Sequence, residues 1–201
     1  MHIVCLDMEG VLVPEIWINV SLKTGIEELK LTTRDISDYD VLMKKRIGLL
    51  EKHKLTIGDI QSVIRTMDPL PGGREFLDEL RAKTQVLILS DTFTQFAAPL
   101  MEKLAWPTLF CNTLMIDGLG RVTDYRLRIK DGKKKTVEAL HSIGFTVTAA
   151  GDSYNDVTML KSADKGIFFR PPASILKEFP DLPVTETFAE LMAEIDAFIG
   201  A

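Results

Sequence analysis

HIVCLDMEGVL, residues 2–12, joins two features that do not belong together. Ile3-Val4-Cys5-Leu6 is an unbroken apolar run, the pattern of a strand buried on both faces, as in a parallel sheet. It leads straight into two carboxylates, Asp7 and Glu9, one residue apart, with Gly10 behind them. Charge at the end of a buried strand is costly unless something compensates it.

Three other segments repeat the pattern: QVLILSD (85–91), TVTAAGDS (146–153) and KGIFF (165–169). Helical periodicity lies between or after them, around 72–83, 93–104, 133–144, 154–164 and 186–199. Alternating strands and helices predict an α/β fold, a Rossmann-like parallel sheet core covered by helices. Two segments break the alternation. Residues 14–67 carry helical spacing (Leu42, Arg46, Leu49, Leu50, then Ile57, Ile60, Val63, Ile64) without a convincing strand, and read as an inserted helical cap. The core is then 1–13 and 68–201. TLFCNTLMIDGLGRVTDYRLRI (108–129) has Asp117-Gly118 and Gly120 between strand-like flanks and predicts a β-hairpin.

The 201 residues are 46% hydrophobic and 26% charged, as expected for a chain that folds around its own core. A net charge of −5 gives no broad basic surface for nucleic acid. No stretch approaches the roughly 18 apolar residues of a membrane span. Cys5 and Cys111 are far apart and lie in apolar surroundings, which points to a reducing compartment and, with no leader pattern, to the cytoplasm. His2, His53 and His141 have no metal-ligand spacing.

Ligands of open parallel sheets bind at the carboxyl ends of the strands. Asp7 and Glu9 follow the first strand, Ser90 and Asp91 the second, and Asp152, Asn155 and Asp156 the third. Carboxylates about 4 Å apart repel by roughly 4 kcal/mol at the effective dielectric of a protein surface, so such a cluster calls for a cation. An all-oxygen donor set points to Mg²⁺ and phosphate chemistry. A carboxylate beside Mg²⁺ can attack phosphorus and become an aspartyl phosphate. A second acid two residues along an extended chain projects on the same side and can exchange a proton with the leaving oxygen.

D-x-E-G-V-L at 7–12, Ser90 at a strand end, a lysine at a helix start and GDSYNDVTML at 151–160 together resemble the four ordered motifs of the haloacid dehalogenase superfamily, with a cap insertion similar to that of its phosphoserine phosphatases. PLPGGREFLDEL (69–80) resembles their return from cap to core. The resemblance implies Asp7 as nucleophile and metal ligand, Glu9 as proton donor with its backbone carbonyl on Mg²⁺, and Asp152 as a further ligand backed by Asp156. It implies that KKRIGLL (44–50) presents Arg46 to the substrate carboxylate and that Glu15 takes the amine. Two residues depart from the usual pattern: Glu9 stands where Asp is common, and Asp91 follows Ser90 where Gly is common. These departures resemble a branch that hydrolyses phosphoserine and also passes the phosphoryl group to homoserine, enzymes of serine and threonine biosynthesis. The substrate is then a small molecule, and a homodimer remains open.

Each residue also has a plainer reading. Arg46 could carry its charge out to water from an apolar stripe, and Glu15 could be an ordinary helix-start acid. Asn155 and Asp156 could cap a helix, and Ser90 and Asp91 could serve a turn. Among Lys133, Lys134 and Lys135, helical spacing puts Lys133 on the face of Val137, Leu140 and Gly144, the inward one, with the other two toward solvent. Other small phosphomonoesters fit the same chemistry. A receiver-like signalling domain phosphorylated on Asp shares the sheet, the acids and the lysine, but has no helical insertion.

Overall fold

The computed structural model describes residues 1–32, 35–36 and 38–200. Among the described residues seven strands form one sheet in the order β4-β3-β2-β1-β5-β6-β7. They are β1 (His2–Leu6), β2 (Gln85–Phe93), β3 (Leu109–Ile116), β4 (Val122–Arg126), β5 (Thr146–Gly151), β6 (Lys165–Phe169) and β7 (Val184–Thr185). All neighbours are parallel except β3 and β4. The hairpin predicted over 108–129 is therefore part of the sheet, because its first strand pairs in parallel with β2.

Alternation through β1 explains the two layers. Val4 and Leu6 pack into one core cluster with Leu77, Phe96 and Ile195, from helices α4 (Gly73–Lys83), α5 (Thr94–Lys103) and α9 (Phe188–Ile199). Ile3 and Cys5 point the other way, into a cluster with Val137, Leu160 and Ile175, from α6 (Gly132–Ser142), α7 (Val157–Ser162) and α8 (Ala173–Glu178). Each large apolar side chain fully buried this way contributes about 1.5–3 kcal/mol.

Between β1 and α4 the chain runs through α1 (Ile16–Thr24), a short 3-10 turn, α2 (Tyr39–Lys52) and α3 (Ile57–Arg65). These are the helices expected for the insertion. Leu42, Met43, Leu49 and Leu50 form the buried face of α2, and Ile60 and Ile64 that of α3. The short α8 and two-residue β7 have too little periodicity to be legible in sequence. The helix expected over 154–164 starts with a 3-10 turn (Tyr154–Asp156) and ends at Ser162.

β1 is flanked by β2 on one side and β5 on the other. Its carboxyl end is the switch point of the sheet, where the connections turn to opposite sides and leave a crevice.

Candidate active site

The last rung of the β1–β5 ladder is the hydrogen bond from Asp7 N to Ala150 O, 2.9 Å. It delivers the Asp7 side chain to the sheet edge. Beyond it the chain turns rather than staying extended. Leu12 N and Val13 N both donate to Met8 O, and Gly10 takes φ +78°. Asp7 and Glu9 both line one cleft, with a bend at Met8 between them in place of the straight strand expected. A Cβ on Gly10 would sit 2.4 Å from Asp152 Cγ, so the turn also makes room for a third acid.

β2 does not stop at Ser90 as expected. It continues to Phe93, with a shift of register against β3 between Leu89 and Phe93. That irregularity presents Ser90 and Asp91 to the crevice. Asp91 O accepts from Asn112 Nδ2 at 3.1 Å and from the Tyr39 hydroxyl at 3.3 Å. The Asp91 carboxylate accepts from Asn155 Nδ2 at 2.9 Å. Asn155 itself is exposed, and its Oδ1 pairs with the Ser153 hydroxyl.

Lys133, second residue of α6, is only 4% exposed. Its ammonium lies 2.9 Å from Asp7 Oδ1, 2.6 Å from Asp156 Oδ1 and 4.0 Å from Asp91 Oδ2. Lys134 instead pairs with Glu138 near the surface, so the helical-face reading separated the lysines correctly. Asp156 is fully buried, and its Oδ2 accepts from the amides of Asp152 and Ser153 at 3.0 and 3.1 Å. The capping reading of Asp156 therefore also holds: with Ser153 it closes a capping box on the 3-10 turn.

Asp7, Asp152 and Asp156 each place a carboxylate oxygen within 4.8 Å of the others. A family model of the haloacid dehalogenase-like hydrolases matches residues 1–164. The chain belongs to that family. It is 55% identical over 194 residues to the phosphoserine phosphatase ThrH of Pseudomonas aeruginosa, covering 96% of this chain and 95% of that protein. Among solved structures, a phosphoserine phosphatase in apo form superposes with a TM-score of 0.78 and 26% identity, covering 96% of this chain and 98% of that one. A phospho-aspartyl intermediate analogue of phosphoserine phosphatase gives 0.76 and 25% identity, covering 96% and 97%.

In this haloacid dehalogenase-like hydrolase the acids are under electrostatic stress. Burial, then the neighbouring Asp156, pushes Asp7 well above the usual carboxylate range, although Lys133 opposes this. Burial and Asp156 push Asp152 to about 7, and burial and Glu15 push Glu9 to about 8. Burial pulls Lys133 down, but Asp156, Asp7 and Asp91 together hold it well above its ordinary value. One ammonium beside two buried carboxylates and the half-buried Asp152 leaves uncompensated negative charge, and Asp152 Oδ1 is buried without a hydrogen-bond partner. An unpaired oxygen in an all-oxygen cluster fits a hard divalent cation. The side chain of Glu9 stays outside the cluster.

Residues at and beyond the start of α1 and on α2 line the crevice opposite the strand ends. A cleft of about 440 Å³ is lined by Asp7, Glu9, Ser90 and Asp152 below and by Glu15, Arg46 and Tyr39 above. Arg46 is 7% exposed and does not reach out to water. Its guanidinium stacks 4.6 Å over Trp17 and donates from Nη2 to Leu31 O at 2.7 Å, while Nε is buried without a partner. Burial lowers Arg46 to about 10. Sequence reasoning did not single out Trp17, Tyr39, Thr92 or Asn112. Their roles come from distant contacts that leave no local signal.

Proposed function

We propose that this chain is a Mg²⁺-dependent phosphoserine phosphatase that works through a phosphorylated Asp7 and can pass the phosphoryl group to homoserine as well as to water. The observation that carries this is the placement of a buried, incompletely bonded Arg46 and of Glu15 across one cleft from Asp7. A guanidinium and a carboxylate there match the carboxylate and ammonium of an amino acid whose phosphate lies on Asp7. The activity named for the ThrH relative supports it, and so does the phospho-aspartyl analogue among the structural relatives.

In this reading residues 14–67 are a cap over a core of 1–13 and 68–201. Ser90, the amide of Asp91 and Lys133 hold the phosphate, with Asn155 fixing Asp91. An Asp7 oxygen attacks phosphorus while the bond to the seryl oxygen breaks, and Glu9 gives its proton to that oxygen. Water or the homoserine hydroxyl then yields a proton to Glu9 and attacks phosphorus, releasing Asp7. Mg²⁺, held by Asp7, Asp152 and the Glu9 carbonyl, would offset charge on the phosphoryl oxygens. Asp156, with both oxygens already engaged, is the positioning residue for Lys133 and the Asp152 loop. Among the described residues no helix is long and apolar enough to cross a membrane, and we place the enzyme in the cytoplasm. Family membership and the inserted helices argue against a receiver-like signalling domain.

The test is phosphate release from phosphoserine with Mg²⁺, with and without homoserine, for wild type and Asp7→Asn. Turnover in wild type, loss in the variant and O-phosphohomoserine formation are expected. Wild-type rates in Asp7→Asn would remove the nucleophile, and absence of phosphohomoserine would remove the transfer activity.

A further inference from the structure

A second cavity, of about 420 Å³, lies against the active-site cleft. Ser90, Asp91 and Asn155 line both spaces, whereas Lys133 lines only the second. A phosphate held by Ser90 and Lys133 therefore borders the cleft on one side and this cavity on the other. Tyr39 and Tyr154 complete the shared wall, which the 2.9 Å hydrogen bond from Asn155 Nδ2 to the Asp91 carboxylate holds together.

The second cavity opens to water along the loop between β4 and α6. Leu127, Arg128, Ile129 and Lys130 line it and are all exposed. Arg128 is fixed over the first turn of α6. Its Nη2 donates to Thr136 Oγ1 at 3.0 Å and lies 3.5 Å from where a Cβ on Gly132 would be, and its guanidinium stacks 4.9 Å over Phe110.

The two spaces also differ in charge. The cleft sets Asp7, Glu9, Glu15, Asp91 and Asp152 against Arg46 and Arg170. The second cavity sets Arg128, Lys130 and Lys133 against Asp91 and Asp131. Even with a divalent cation among its acids, the cleft is the less favourable path for a free phosphate anion, because a passage lined by the opposite charge draws a small ion through it. The cleft is also the space that the alcohol must enter and leave, past Glu15 and Arg46.

We propose that the second cavity is the exit for inorganic phosphate. Ester and alcohol use the cleft, and the phosphate freed from Asp7 passes Lys133 to Arg128, Lys130 and solvent. The inference rests on the phosphatase reading but not on which ester is the substrate.

Two half-exposed isoleucines allow each passage to be narrowed alone: Ile129, 42% exposed, lines only the second cavity, and Ile18, 37% exposed, lines only the cleft. The measurement is a single turnover of phosphoserine with enzyme in excess. Acid quench counts all phosphate detached from Asp7, bound or free, while a fluorescent phosphate-binding protein in the mixture counts only the free ion. In Ile129→Trp the delay between the two should lengthen by roughly tenfold, with serine formation changed by less than about twofold, because only product release is obstructed. Ile18→Trp should slow serine formation at low ester concentration and leave the delay as in wild type. Leu127→Trp, at the same mouth as Ile129, serves if Ile129→Trp does not fold. An unchanged delay in the variant at this mouth, or a delay lengthened by Ile18→Trp instead, overturns the exit. A wild-type protein that frees phosphate from neither phosphoserine nor p-nitrophenyl phosphate ends the phosphatase reading and the exit with it. Hydrolysis of p-nitrophenyl phosphate alone removes only the amino-acid substrate, and the same delay measured with that ester decides the exit.

Discussion

Lys133 reaches from the start of α6 to the end of β1, placing its ammonium 2.9 Å from the nucleophilic candidate Asp7. The two are 126 positions apart in sequence, and the contact exists because β1 and the amino end of α6 meet at one sheet edge. Asp156, 2.6 Å away on the other side, keeps Lys133 charged and fixed. A buried cation between acids adds little net stability, but removing it leaves carboxylates stranded, at a cost of about 3–5 kcal/mol. Lys133→Met should therefore abolish turnover and lower stability by about that amount at neutral pH. Part of the loss should return as the pH is lowered, because burial raises the pKa of Asp7 and protonation removes its stranded charge. Urea denaturation at neutral and at lower pH checks this, and equal losses at both would contradict it.

Asp152 should link cation binding to pH. Its ordinary value of 3.8 is raised to about 7 in the fold, chiefly by burial and then by Asp156. Between those values the unfolded chain has lost a proton that the native state keeps, so stability without metal falls as pH rises from about 4 to about 7. A divalent cation requires the deprotonated form, and the thermal stabilisation by Mg²⁺ should grow over the same range. Asp152→Asn should melt higher than wild type without Mg²⁺ and gain nothing from adding it. Melting curves with and without Mg²⁺ across this range test the point, and a pH-independent gain would refute it.

Arg46 should govern substrate choice rather than chemistry. Arg46→Ala removes a charged hydrogen-bonding group worth about 1.5–3 kcal/mol, hence a rise of roughly tenfold or more in KM for phosphoserine. KM for p-nitrophenyl phosphate, which has no carboxylate to hold, should barely change. Arg46→Lys should recover only part of the loss, because an ammonium neither binds a carboxylate bidentately nor stacks as a plane on Trp17. Equal effects on both esters would take Arg46 out of this role.

Gly10→Ala should damage the site more than the fold. The residue has φ +78°, and its Cβ would lie 2.4 Å from Asp152 Cγ. The left-handed backbone alone costs about 1–2 kcal/mol for a residue with a side chain, and Asp152 must also move. Activity and Mg²⁺-dependent stabilisation should fall sharply while the far-ultraviolet circular dichroism is kept. A fully active Gly10→Ala protein would mean that Asp152 is not held where the structure has it.

Much of the architecture is legible along the chain because its causes are local. Ile3–Leu6, Leu87–Leu89 and Val147–Ala150 are apolar runs that can be satisfied only inside a sheet covered on both faces. The 3.6-residue spacing of Lys133, Val137 and Leu140 was enough to tell a buried lysine from its two neighbours. The acids at the strand ends follow from the same pattern. Where causes are not local the reading failed: nothing in VT at 184–185 marks a seventh strand, and nothing in LSDTF shows that β2 shifts register instead of ending.

The sequence by itself determined which residue types gather at the carboxyl edge of the sheet, since strand polarity and the right-handed crossover leave the strand ends no other place. Only the tertiary structure decided what each oxygen does. Asp156 has both of its oxygens taken by Lys133 and by backbone amides, whereas Asp152 keeps one buried and unpaired. Likewise the guanidinium of Arg46 turns inward because Trp17, on another helix, offers its face. Hydrogen bonds depend on angles and tenths of an ångström between groups far apart in the chain, and that geometry is set only when the layers pack.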